Sequence, residues 1–280
     1  MNTDTFFTQG NSHKICQDYA VHGPDYVILS DGCSGAMDSD FGARLLVRAA
    51  IVHNHESIIP IYDRILSTAV DYCKAIDLNS ECLFATLLTA KVLECNIEVH
   101  VAGDGIIAVK FKNGVIRVVK ITYPMSAPLY LRYFLSPQDC GSFFNNYEGK
   151  YTETTYTITP NGKTENLRVE QCSCPRPNFH CFAPDFDSYK IYCYDKFDVE
   201  SVAIFSDGVA SFQRFTTVGV SKTSELVPEE EIIKEILAFR GFQGEFVQRR
   251  CQRAFVKFDK DGWRNFDDFS VGVIYTGETK

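Results

Sequence analysis

Four apolar runs in the sequence each end in an aspartate that is followed by glycine or by a second aspartate. The residues in question are Asp31-Gly32, Asp104-Gly105, Asp207-Gly208 and Asp267-Asp268. Carboxylates that gather in a dry place repel one another unless cations neutralise them. An Asp-Gly pair taken alone favours an ordinary turn, but four of them at predicted strand ends suggest one shared site for hard divalent cations.

A hairpin is predicted to deliver the first of these aspartates. Residues 9–20 change from polar and small to apolar, which indicates a loop that leads into a strand. Residues 23–25 form a Gly-Pro-Asp turn signal, and residues 26–30 are then the partner strand. We therefore expect Asp18 and Asp31 to lie near one another on neighbouring strands.

Two helices are predicted after this hairpin, and together they should form one packed layer. Asp38 or Ser39 can cap the first helix, and its apolar residues recur at helical spacing. Those residues are Phe41, Leu45, Ala49 and Val52. Pro60 opens the second helix. Its apolar face carries Ile61, Ile65, Ala69, Tyr72, Cys73 and Ile76.

The rest of the chain is mainly β in character. Apolar runs over 83–121 predict an antiparallel meander, and Asn113-Gly114 is a strong hairpin signal because both residues tolerate positive φ. Residues 124–195 lack periodicity, so we expect irregular strands and a mobile insertion there. Helices near 229–240 and 246–258 precede a last strand. This order favours two packed antiparallel sheets with helices outside them over a parallel sheet.

Composition narrows the class of protein. Of the 280 residues, 45% are hydrophobic and 23% are charged, which is typical of a soluble globular protein. The net charge is −8 and no basic block stands out, so binding to nucleic acid is not expected. The sequence shows neither a leader pattern nor a membrane-spanning run, so we expect a cytoplasmic protein without a membrane partner.

The 11 cysteines are spread through the chain in an odd number, which favours reduced thiols over a disulfide framework. A zinc cluster is the less favoured alternative, because the spacing matches no common zinc-finger pattern. Its members would be Cys172, Cys174, His180, Cys181 and Cys193.

Taken in order, the motifs resemble the metal-dependent protein phosphatases of the 2C type. The resemblance runs through most of the chain, and the ordered set is more specific than any single motif. It includes Ser30-Asp31-Gly32, Ala85-Thr86-Leu87-Leu88, Ala102-Gly103-Asp104, Ser206-Asp207-Gly208-Val209 and Asp267-Asp268-Phe269-Ser270. The opening Ser12-His13 and Cys16-Gln17-Asp18 are similar to a prokaryotic branch, in which they stand at the family's Arg and Glu-Asp positions.

The resemblance implies one phosphatase domain over 1–280, with an irregular insertion at about 124–195. The implied fold is α+β, a four-layer α-β-β-α sandwich with two central antiparallel β-sheets that hold two Mn²⁺ or Mg²⁺ ions between them. Asp31 would bridge both ions, Asp207 and Asp267 would complete the first, and the Gly32 carbonyl would serve the second. Asp104 matches a position that, with Asp207, can hold a third ion. Oxygen donors are the ligands that these cations prefer.

The implied reaction is hydrolysis of phosphoserine or phosphothreonine in proteins by water that two metal ions activate. Asp31 and Asp207 would act through the ions, and Asp18 would orient the water. His13 would contact phosphate or donate a proton, or it would be a structural histidine bonded to its loop. Gln17 stands where many members have a Glu ligand, so the second ion would bind more weakly or through water.

Cys33 follows the first strand end and could be mistaken for a nucleophile. We interpret it as a small packing residue, because no arginine loop that would cradle a phosphate follows it.

The expected partners of the chain are a phosphorylated protein substrate and a cognate Ser/Thr kinase system. Two alternatives stay open. One is a weak or inactive pseudophosphatase that acts as a binding or regulatory module, and the other is a metal-dependent hydrolase of small phosphates.

Overall fold

The structure is a computed structural model that describes residues 1–54, 62–174, 190–218 and 221–277. Its strands are β1 (Asn2–Thr8), β2 (Asp18–His22), β3 (Tyr26–Asp31), β4 (Leu87–Val92), β5 (Asn96–Ala102), β6 (Gly105–Phe111), β7 (Ile116–Thr122), β8 (Lys150–Ile158), β9 (Thr164–Ser173), β10 (Lys190–Asp195), β11 (Val199–Phe205), β12 (Phe212–Val218), β13 (Ser221–Leu226), β14 (Trp263–Asn265) and β15 (Phe269–Tyr275). The helices are α1 (Ser39–His53), α2 (Tyr62–Ala75), α3 (Pro137–Tyr147), α4 (Glu229–Ile236) and α5 (Phe246–Lys260). None of the described helices combines the length and the apolar composition that a membrane crossing requires.

The described strands form three antiparallel sheets. A seven-stranded sheet has the order β1-β15-β11-β6-β7-β8-β9, and a five-stranded sheet has the order β10-β5-β4-β3-β2. A small third sheet has the order β13-β12-β14. The predicted turn at Asn113-Gly114 joins β6 to β7, and Gly114 has a φ of 84°. That hairpin prediction is confirmed.

The side chains of β6 point alternately to the two faces of the seven-stranded sheet, and this shows how the layers are stacked. Ile107 and Val109 belong to the core that the seven-stranded sheet shares with the five-stranded sheet, α1 and α2. Ile106 and Ala108 point the other way, into a second core with α4 and α5. Side chains on opposite faces of one strand therefore serve two interfaces. The order helices, sheet, sheet, helices confirms the predicted α-β-β-α sandwich.

The first predicted helix forms as α1, but its predicted apolar face is only partly buried, because Ala49 is buried and other members are not. Phe41 and Val52 are 51% and 50% exposed, whereas Gly42 is buried. A Cβ on Gly42 would lie only 1.7 Å from the carbonyl oxygen of Cys82. The backbone thus approaches its neighbour so closely that only glycine fits at this position.

The second predicted helix forms as α2, with Ile65, Ala69 and Cys73 buried and Ile76 exposed. Its predicted start at Pro60 and Ile61 lies outside the described residues.

Residues 124–195 are more regular than predicted. They contain α3 and three strands, of which β8 and β9 form an edge hairpin of the seven-stranded sheet and β10 pairs with β5. The expectation of irregular structure is corrected here. Most residues of β9 are exposed, so this strand lacks the alternation that marks a half-buried strand. Residues 175–189 lie outside the described part of the chain.

The ten cysteines that the structure describes are all free, in agreement with the prediction of reduced thiols. Cys174 is buried, with its Sγ 3.7 Å from the hydroxyl of Tyr123. Two members of the alternative zinc cluster, His180 and Cys181, lie outside the described residues.

Candidate metal centre

The hairpin of β2 and β3 places Asp18 directly opposite Asp31, as the turn signal predicted. Thr86 holds the end of β3: its Oγ1 accepts a hydrogen bond from the Asp31 N–H at 3.0 Å, and its own N–H donates to the Asp31 carbonyl at 2.8 Å. Gly32 continues this pairing as a bridge to Ala85. The backbone of Asp31 is therefore fixed by hydrogen bonds at both its N–H and its carbonyl, and this sets the position from which the side chain projects.

Asp207 follows strand β11, and Asp267 precedes the neighbouring strand β15. A 3₁₀ turn over Asp207–Ser211 begins just after β11. Gly208 in this turn packs on the chain that leads into β15, since a Cβ there would lie 1.7 Å from the carbonyl oxygen of Asp268. The hydroxyl of Ser211 accepts a hydrogen bond from the Asp267 N–H at 3.0 Å. These contacts lock the two aspartate-bearing segments together.

Asp104 lies in the tight connection between β5 and β6. Its neighbours Gly103 and Gly105 have φ values of 98° and 143°, in the region where a side chain would be strained. The two glycines let the chain reverse so sharply that Asp104 is presented to the same pocket as Asp207.

A pocket of about 170 Å³ brings the four predicted strand-end aspartates together. Its predicted members are Asp31, Asp104, Asp207, Asp267, His13 and Gly32, and Cys33, which was interpreted as a packing residue, also lines it. Two predicted site residues are not among the residues that line it. Asp18 is fully buried, and the side-chain amide of Gln17 donates to the Ser39 hydroxyl at 2.6 Å.

The carboxylates in and below this pocket repel one another. Burial raises the pKa of Asp31 well above its ordinary value, and the charges of Asp18, Asp207 and Asp104 raise it further. Burial and Asp207 likewise raise the pKa of Asp104. Burial raises the pKa of Asp18 to about 7, although a hydrogen bond from the Ser206 hydroxyl at 2.7 Å acts in the opposite direction. Protons or cations would relieve this repulsion.

The donor set fits hard divalent cations, because it consists of aspartate oxygens together with the Gly32 carbonyl. The Oδ1 atom of Asp207 is buried and has no hydrogen-bond partner in the described part of the chain, so it is free to act as a ligand. Among the described residues, no three His, Cys, Asp or Glu side chains already converge as a ligand set.

His13 lies between two carboxylates at the edge of the pocket. Its Nε2 is 3.3 Å from Asp267 Oδ1, and its Nδ1 is 3.0 Å from Asp268 Oδ2. Burial lowers the pKa of His13, but the two carboxylates more than offset this and the net shift is upward. An imidazole whose protonated form is favoured thus stands at the position where the resemblance expects an arginine.

Asp268 is the residue of this centre that sequence reasoning missed. Its carboxylate is buried and accepts hydrogen bonds from the backbone N–H groups of Gly10 at 2.7 Å and Gln17 at 2.5 Å. Both groups belong to the loop that carries His13. The Asp-Asp pair in the sequence could have indicated this second role, because the side chains of adjacent residues in an extended chain point in opposite directions. Asp267 faces the pocket, and Asp268 faces the loop behind it.

The sequence profile of the protein phosphatase 2C family matches residues 10–239. The chain therefore belongs to the protein phosphatase 2C family, which confirms the resemblance seen in the motifs. No curated protein is a significant match to the sequence.

Several solved structures are similar to the chain. A bacterial serine phosphatase is 12% identical at a TM-score of 0.54, covering 100% of this chain and 99% of that one. The serine/threonine phosphatase Stp1 from Staphylococcus aureus is 13% identical at a TM-score of 0.52, covering 99% and 96%. The catalytic domain of the phosphatase PstP, in complex with two manganese ions, is 10% identical at a TM-score of 0.47, covering 97% and 96%. The first two similarities show that the chain has the fold of these Ser/Thr phosphatases.

Proposed function

We propose that the protein is a phosphatase that depends on Mn²⁺ or Mg²⁺ and hydrolyses phosphoserine and phosphothreonine in proteins. The observation that carries this proposal is the meeting of four strand-end aspartates, distant in sequence, at one pocket. Membership of the protein phosphatase 2C family supports the class of reaction. Its substrates are then cytoplasmic proteins that a cognate Ser/Thr kinase phosphorylates.

In this proposal Asp31, Asp207, Asp267 and the Gly32 carbonyl would hold two ions, and Asp104 lies at a position that, with Asp207, can hold a third. Such ions, when bound, activate water and neutralise the charge on phosphate. Asp18 supports Asp31 from the interior. Asp18 lies directly opposite Asp31 and accepts a hydrogen bond from the Ser206 hydroxyl, which would hold its carboxylate in place to orient water.

His13 contributes the positive charge that attracts a phosphate dianion. Its position between Asp267 and Asp268 fixes the ring and favours the protonated form. Ser126, Pro128 and Tyr130 also line the pocket. A cavity of about 170 Å³ accepts a phosphorylated side chain, so the rest of a protein substrate would lie across the rim.

A non-catalytic binding module is the second candidate, and one observation favours it. The side chain of Gln17 donates to Ser39, so the position at which many members have a Glu ligand adds no charge to the site. Such a module would bind an ion and a phosphorylated partner without turnover.

The test is hydrolysis of p-nitrophenyl phosphate and of a phosphothreonine peptide with Mn²⁺. We expect turnover by the wild type and a loss of activity of more than about 100-fold in Asp31→Asn and Asp207→Asn. Mutation of a residue that only supports a metal ligand typically costs about 10- to 100-fold in activity, and mutation of the ligand itself should cost more. Asp195→Asn is the matched control, since Asp195 also ends a strand but is exposed and outside the pocket. A wild type that binds Mn²⁺ without any turnover would favour the binding module and contradict the enzyme.

A further inference from the structure

A second pocket lies where the chain between α4 and α5 packs against the start of α5. Its cavity volume is about 560 Å³, which falls in the range of small-molecule sites. Four arginines are among the residues that line it: Arg240, Arg249, Arg250 and Arg253. This concentration of positive charge stands out in a protein whose net charge is −8.

Two of these arginines are held in place by neighbours. Arg250 donates from Nε to the Glu235 carbonyl at 2.7 Å and also pairs with the Glu235 carboxylate. Arg249 donates to the carbonyl of Gln243 at 2.6 Å. Their side chains therefore form a fixed wall, and Arg250 has its charge balanced within the protein.

The other two arginines are free to bind an anion. Arg240 and Arg253 are exposed and have no hydrogen-bond or ion-pair partner in the part of the chain that the structure describes. No described acidic residue lines the pocket. The rings of Phe239 and Phe246 lie beside the arginines, with their centroids 5.1 Å apart, and give the cavity an apolar floor.

This pocket is remote from the carboxylates. The ring of Phe242, in the same connection, stacks on Tyr275 at the last residue of β15. Asp267 precedes the first residue of that strand, Phe269. A strand of this length spans about 20 Å at about 3.3 Å per residue, so the arginines cannot reach the metal centre.

We propose that the arginine pocket is a binding site for a small molecule that carries two or three linked phosphates. Guanidinium groups recognise phosphate oxygens with paired hydrogen bonds, and two unpaired arginines beside a fixed arginine wall match more than one phosphate group. Both an inorganic phosphate chain and a nucleoside polyphosphate have this chemistry. The proposal does not depend on phosphatase activity.

Calorimetric titration of sodium tripolyphosphate into the full-length protein tests the site, with a chelator present so that metal ions contribute nothing. We expect saturable binding by the wild type and at least tenfold weaker binding by the double variant Arg240→Gln, Arg253→Gln. Arg48→Gln is the matched control, because Arg48 is an exposed helical arginine on α1 in the opposite helical layer. Thermal unfolding of each variant checks that it is folded.

Titration of ATP in the same series distinguishes the two sources of linked phosphates. Tighter binding of ATP than of tripolyphosphate assigns the pocket to a nucleotide, and equal binding assigns it to the phosphate chain alone. The proposal is overturned if the wild type shows no binding of either probe, or if the double variant binds as well as the wild type. An equal loss of affinity in Arg48→Gln would also overturn the proposal, because it would mean that the probes bind to positive charge anywhere on the protein surface.

Discussion

Replacement of Asp268 by asparagine tests whether a buried carboxylate organises the loop that carries His13. The carboxylate accepts hydrogen bonds from the N–H groups of Gly10 and Gln17 and lies 3.0 Å from the His13 ring. Asparagine keeps one acceptor oxygen and puts an amide donor in place of the other. One of the two backbone donors then faces a second donor, and the histidine loses a negative partner.

The size of the effect follows from these contacts. A hydrogen bond to a charged group contributes about 1.5–3 kcal/mol, and a buried donor left without an acceptor carries a further penalty. We therefore expect Asp268→Asn to lower the free energy of unfolding by about 2–4 kcal/mol. Asp195→Asn, at an exposed strand end, should change it by less than about 0.5 kcal/mol.

Urea unfolding measures the change, and hydrogen exchange shows where it acts. The amides of Gly10 and Gln17 should lose protection in Asp268→Asn, while the strands of the five-stranded sheet keep theirs. Hydrolytic activity should fall as well, because the same loop positions His13. A variant as stable as the wild type, with both amides still protected, would refute the role assigned to Asp268.

Three further changes have expected outcomes. Gly208→Ala should destabilise the protein by about 3 kcal/mol and reduce activity, because a Cβ would lie 1.7 Å from the Asp268 carbonyl and push the two segments apart. Gln17→Glu should tighten Mn²⁺ binding several-fold, as judged by the Mn²⁺ concentration at half-maximal activity. Lys257→Gln should lower stability near neutral pH by less than about 1 kcal/mol, measured by urea unfolding across pH. Burial raises the pKa of Glu235, but Lys257 contributes to a larger opposite effect, and the net pKa is lowered.

Each of these changes has its own control or contrary result. Gly241→Ala is the control for Gly208, because a Cβ on Gly241 would meet no atom within 4 Å, and the stability of this variant should match the wild type. Unchanged Mn²⁺ dependence in Gln17→Glu would mean that this side chain stays with Ser39, outside the site. A lowered carboxyl pKa stabilises the fold above the pKa of the unfolded chain, about 4.3, and loses that effect as the pH falls through the folded pKa. A Lys257→Gln deficit that stays the same size at every pH, including below the folded pKa of Glu235, would contradict the pairing with Glu235.

The meeting of the strand-end aspartates at one pocket was largely predictable because its main signals are local. A strand that ends in Asp-Gly presents its carboxylate at the strand tip, and this holds for Asp31, Asp104 and Asp207 without knowledge of the sheet order. The pairing of Asp18 with Asp31 followed from a short turn that fixes the register of one hairpin. Local signals could not show which of Asp267 and Asp268 faces the pocket, because this depends on the distant loop that packs behind them.

The parts of the fold that escaped prediction are those in which packing overrides periodicity. The face of α1 was predicted from large apolar residues, but Gly42 lies at the contact because Cys82 leaves no room for a side chain. β9 was missed because an edge strand that exposes most of its residues shows no alternation. The arginine pocket was also missed. Arg240 is separated from Arg249 and Arg253 in sequence, and only the packing of α5 against the preceding connection brings them together.

The most direct test of the metal centre is calorimetric titration of Mn²⁺ into the chelator-treated, full-length protein. We predict saturable binding of two ions by the wild type, at least tenfold weaker binding by Asp31→Asn, and unchanged binding by Asp195→Asn. Ligand linkage predicts a matching rise in the stability of the wild type, about 2.7 kcal/mol at 100 times the Kd, that Asp31→Asn should largely lose. Equal Mn²⁺ affinity in Asp31→Asn and the wild type would contradict the assignment of the aspartate pocket as the metal centre.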